Sequence, residues 1–152
     1  MTPNATPNHW LLAGLCLSLL STSARAETTP DAVKPLALRG VMQEMERQMQ
    51  TIAQAIVSKN WPSVEQATSL IADHPEPPLG EKLRIFAFMG TDLPRFKGYD
   101  NRTHEAALAV GQAAKDKDGV EVAARFRILQ ARCNACHDEF RKPFVAHFYG
   151  TR

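Results

Sequence analysis

Residues 120–142 read VEVAARFRILQARCNACHDEFRK. Val122, Phe126, Leu129, Cys133, Cys136 and Phe140 fall at successive spacings of 4, 3, 4, 3 and 4. That is the seam of a helix packed against other helices. Both cysteines lie on the seam, and His137, four residues after Cys133, shares nearly the same face. Asp118-Gly119 supplies a turn before this helix. Pro143 is expected to stop it, leaving residues 143–152 as a tail.

Cys133-Asn134-Ala135-Cys136-His137 is a C-x-x-C-H motif, the attachment pattern of c-type haem. Two thiols three residues apart each take one vinyl group of a porphyrin, and His137 follows as a ligand for the iron. A thioredoxin-like pair also uses C-x-x-C, but beside a βαβ pattern, and no strand-like alternation precedes this motif. A structural zinc site needs four protein ligands. His74, His104 and His147 are scattered, and no second paired motif exists to complete one. The reading is one haem, bound covalently through Cys133 and Cys136, with His137 as proximal ligand.

Little chain follows His137, so the other side of the haem must come from upstream. In residues 35–59, Leu38, Met42, Met45, Met49, Ile52 and Ile56 repeat the 4, 3, 4, 3, 4 spacing, with Pro35 suited to a first helical turn. Residues 60–63 break the chain and start a second helix to about residue 72, with Val64, Ala67 and Leu70/Ile71 as its apolar stripe. Pro75, Pro77 and Pro78 end it. Residues 81–90 are expected to add one or two helical turns, and residues 93–99 to form an irregular loop. A third helix is expected from near Asp100 or Thr103 to about residue 117, with a small-residue face of Ala106/Ala107, Val110 and Ala113/Ala114. Four helices, short connections and two matching seams predict an all-α antiparallel four-helix bundle with its cofactor in the core.

The chain has 152 residues and a formal charge of +2. One domain of modest core fits that length, and the balanced charge gives no case for nucleic-acid binding. Residues 10–20, WLLAGLCLSLL, are apolar but too short to span a bilayer. Ala24-Arg25-Ala26 follows as an A-x-A cleavage site. Residues 1–26 are therefore expected to be a cleaved secretory signal peptide, although no Lys or Arg precedes Trp10. Residues 27–152 are then the single haem-binding domain. Cleavage removes Cys16, leaving Cys133 and Cys136 as the remaining thiols in an oxidising compartment, the periplasm, with no membrane span in the mature chain.

In an up-down bundle the first and last helices are antiparallel neighbours. His137 lies one to two turns before the expected end of the last helix, so its counterpart falls near residues 40–43, where Met42 sits on the seam. A thioether there would stabilise ferrous iron. Core packing is the plainer reading of a methionine stripe, and it suits Met45 and Met49, the latter lying against the porphyrin. Arg39 and Arg141 are candidates for pairing a haem propionate, against the reading of solvated helix faces. Asp100 is expected to cap the third helix, with His104 bonding locally; a metal pair and a distal polar contact are the alternatives. Trp61 reads as packing, and His147 as an exposed residue of the tail.

On these residues the chain resembles the class II c-type cytochromes, the cytochrome c′ group. The resemblance is carried by residues 122–142, ending CNACHDEFRK, and by the first helix with Arg39, Met42 and Met49. It implies a periplasmic four-helix bundle, haem near the C-terminus, redox partner proteins, a homodimer in some members, and electron transport rather than enzymatic catalysis. Phe140 joins the haem-lining set. One branch of the family is low-spin with a methionine ligand on the first helix, which Met42 matches. The other is five-coordinate and binds small gases such as nitric oxide. Residues 79–99 depart from the family pattern.

Overall fold

Two short connections set the topology. At the end of α1 (Ala37–Val57) the backbone N–H groups of Lys59 and Asn60 return to the carbonyls of Ile56 and Ala55, and Lys59 takes φ 54°. At the end of α4 (Leu93–Lys115) Lys117 and Asp118 return to Ala114 and Ala113, with Lys117 at φ 56°. Both are Schellman closures with lysine in the left-handed position that glycine usually takes. The residue after each lysine caps the next helix. Asn60 accepts from Ser63 N–H at the start of α2 (Trp61–Ala72). Asp118 accepts from Val120 and Glu121 N–H at the start of α5 (Gly119–Tyr149). Each connection therefore reverses the chain within three residues. The two turns lie side by side: a Cβ on Gly119 would stand 3.1 Å from the Trp61 ring.

The structure, a computed structural model, describes residues 35–150. The expected signal peptide, residues 1–26, lies outside them. Between α2 and α4 the chain forms α3 (Leu79–Met89) and a 3₁₀ turn (Gly90–Asp92). Helices α1, α2, α4 and α5 make the expected antiparallel all-α bundle, and the described residues contain no strand. Packing is extensive between α1 and α2, α2 and α4, and α4 and α5, whereas α1 and α5 approach at few points. Thr68 and Gly111 mark the close approach of α2 to α4, where a Cβ on Gly111 would stand 2.7 Å from the Thr68 hydroxyl. No helix among the described residues is long and apolar enough to cross a membrane.

Two expectations fail in instructive ways. Residues 93–99 are not a loop but the first two turns of α4, so the third bundle helix begins at Leu93 rather than near Asp100 or Thr103. Pro94 sits in the first turn, where its missing N–H has no partner to lose, and Leu93, Phe96 and Tyr99 pack inward. The last helix does not stop at Pro143, which lies inside α5. An interior proline costs about 3 kcal/mol. Here tertiary contact offsets it. Phe144 and Phe148 meet the Phe88 ring edge-on at 6.0 and 5.4 Å between centroids, and the Tyr149 hydroxyl accepts from Leu36 N–H at 3.0 Å.

The start of α1 is held from a distance. Leu36 occupies the N-cap and has no polar side chain to offer. The Glu81 carboxylate, on α3, accepts instead from Ala37 N–H at 2.7 Å and Leu38 N–H at 2.8 Å. A carboxylate at a helix N-terminus also meets the positive end of the helix dipole. Glu81→Ala is expected to lower stability by about 1–2 kcal/mol, at the upper end of capping effects. Thermal unfolding of Glu81→Ala beside Glu81→Gln checks this, and equal stability of wild type and Glu81→Ala would refute it.

Candidate functional site: the C-x-x-C-H segment between two core clusters

The core is in two parts. One cluster gathers Ile52, Val64, Ile71, Val110, Val122, Phe126 and Leu129, with Met45, Met49 and Cys133 packed against it. The other gathers Leu36, Ile85, Met89, Phe140 and Phe148, with Leu38, Phe96, Tyr99 and Cys136 packed against it. On α5 the boundary falls between Cys133 and Cys136. On α1 it falls between Leu38 and Met45, at the level of Val41 and Met42, which belong to neither cluster. The C-x-x-C segment and Met42 thus lie at matching heights on α5 and α1, the two bundle neighbours that pack most sparsely.

The donor set fits a covalently held haem. Cys133 and Cys136 are free thiols, not a disulfide, and both are half-buried. Burial pushes the Cys136 thiol up to about 11, reinforced by the Asp100 carboxylate, and moves Cys133 in the same direction. A thiolate is disfavoured in such surroundings, whereas a thioether is uncharged and suits them. The His137 ring is held below its ordinary pKa by partial desolvation and by the Arg141 cation. His137 is exposed on α5, and the direction of the shift favours the neutral imidazole that an iron ligand must be. The zinc reading loses ground: among the described residues Cys133, Cys136 and His137 do not converge as a metal-binding group.

The remaining expected site residues are placed as follows. Phe140 is buried, edge-on to Phe96 and Tyr99 at 5.4 and 5.6 Å, with the Arg95 guanidinium over its face. It closes one side of the boundary, and the partly buried Met49 closes the other. Met42 is partly exposed, and Arg39 and Arg141 are exposed. His147 is exposed as expected, but it belongs to α5 and stacks on Phe88 at 4.4 Å. Trp61 packs on the first cluster.

Asp100 does not cap a helix, because α4 starts seven residues earlier. Its Oδ1 lies 3.5 Å from Nε2 of both His74 and His104, and those two nitrogens are 2.9 Å apart. The hydrogen bond that His74 donates to the Asp100 carboxylate raises the His74 pKa, and that same bond lowers the Asp100 pKa. Sequence reasoning paired Asp100 with His104 through their spacing but missed His74, thirty residues away. It also missed the aromatic residues of α3 and early α4 that build the second cluster.

No curated protein and no solved structure matches the chain. Residues 88–141, from the end of α3 through α4 and α5 past the C-x-x-C-H, match the family model described as Cytochrome C′, so this part of the chain is similar to a c-type cytochrome of that family.

Proposed function

We propose that the protein is a periplasmic monohaem c-type cytochrome that carries single electrons between partner proteins. Cys133 and Cys136 would hold the haem covalently, and His137 and Met42 would ligate its iron. The haem supplies the one-electron chemistry. The chain supplies two tethering thiols, a neutral imidazole, and apolar walls that lower the local dielectric. The observation that carries the reading is the boundary in the core. It lies at the C-x-x-C segment on α5 and at Met42 on α1, between helices that approach at few points. A thioether ligand stabilises ferrous iron and raises the potential, which suits electron transfer.

A second reading keeps the same haem but leaves its sixth position to a small gas. The description of the matched family and the incomplete burial of Met42 favour it. Spin state separates the two. For electron transfer, the ferric protein is expected to be low-spin. Met42→Ala should then turn it high-spin and lower its reduction potential, read by absorption spectroscopy and redox titration. A wild-type protein that is already high-spin, or a Met42→Ala spectrum that does not change, removes Met42 as a ligand. The first result with ready nitric oxide binding supports the gas-binding reading.

A further inference from the structure

His74, Asp100 and His104 are not used by the haem reading. His74 comes from the connection between α2 and α3, and Asp100 and His104 are one turn apart on α4. The same three atoms, two Nε2 and one Oδ1, point at one another, with separations of 2.9, 3.5 and 3.5 Å. A tetrahedral centre with metal–ligand bonds of about 2.0–2.1 Å sets its donors about 3.3 Å apart. The triangle has that size already, and shifts of a few tenths of an ångström would fit it. The imidazole rings are nearly perpendicular, at 83°, so both nitrogens approach the common centre from different directions.

From this geometry we infer that His74, Asp100 and His104 form a binding site for a divalent late transition cation of the zinc class, separate from the haem. Two imidazoles and one carboxylate are a ligand set that such ions accept, with a fourth position left to water. The second shell agrees. His74 Nδ1 lies 3.3 Å from the Pro75 carbonyl, so a proton on Nδ1 leaves the Nε2 lone pair free for the ion. Access is also adequate. The His74 side chain is 10% exposed, but Asp100 is 44% exposed and opens the site to solvent. Three prolines at 75, 77 and 78 restrict the segment carrying His74, so little ordering of that segment remains for the ion to impose. The rival state is a hydrogen-bonded trio with no metal affinity.

Zinc titration of the purified, chelator-treated holoprotein by calorimetry decides between them. The expected result is one equivalent of Zn²⁺, with a first shell at the zinc K-edge containing two imidazole nitrogens. His104→Ala and Asp100→Asn should each weaken binding at least tenfold, while His147→Ala leaves it unchanged. Asp100→Asn is nearly isosteric and keeps an acceptor for the two rings, so it remains informative if His104→Ala fails to fold. Absence of stoichiometric binding, or equal affinity in wild type and Asp100→Asn, overturns the site. The zinc signal is read independently of the iron, so its outcome stands apart from that of the haem reading.

Discussion

Replacing Cys133 and Cys136 together by alanine is expected to abolish covalent haem: no haem should remain on the chain after denaturation and solvent extraction. Each single replacement should leave at most one thioether. The expectation rests on the two sulfurs being half-buried on one helix face, Cys133 against one core cluster and Cys136 against the other. The proposed haem would meet both of them along one ring edge. Among the described residues no other cysteine offers a thiol. The loss should extend to stability, because a chain that cannot retain haem keeps the interruption in its core and loses the stabilisation that a tightly bound ligand provides. Haem staining of a denaturing gel, with mass spectrometry, measures attachment, and circular dichroism against temperature measures the accompanying loss. Covalent haem persisting in the double variant would contradict the attachment assignment.

Leu129→Ala is expected to cost about 3 kcal/mol, the middle of the range for a leucine truncated in a packed core. Leu129 has no solvent exposure and lies one turn before Cys133, at the centre of the first cluster. Its neighbour Ile128, about 100° further round the helix, is 42% exposed. Ile128→Ala should therefore change stability by no more than about 0.5 kcal/mol. Urea unfolding of the two variants, followed by helix signal and by haem absorption, makes the comparison within one helix. A fall in Tm of roughly 10 °C for Leu129→Ala corresponds to that cost in a domain of this size. Similar losses in the two variants would mean that the seam on α5 is not the core-facing side.

The α5 seam was readable because period and chemistry coincide there: the residues spaced to face a bundle core include both members of the C-x-x-C. The α1 seam was readable for the same reason, and its register brought Met42 into consideration. Local rules misled where distant contacts override them. Pro143 is a helix breaker by its own chemistry, yet α5 continues because Phe144, Phe148 and Tyr149 find partners on α3 and at the start of α1. Residues 93–99, expected as a loop, lie in a helix whose inward residues complete a cluster. Asp100 carried a capping signature, but the earlier start of α4 left it inside the helix and free to face His74.

The sequence by itself determined the helical class, the bundle seams and the placing of Cys133, Cys136 and His137 on one helix face. These depend on spacing within one segment, where the α-helical period converts sequence distance directly into a shared face. Only the tertiary structure decided where the core divides, that Glu81 caps α1 from α3, and that His74 meets Asp100 and His104. Each of these joins side chains from different helices or connections. Their separation along the chain carries no period, and it is the packing of the helices that sets the distance between them.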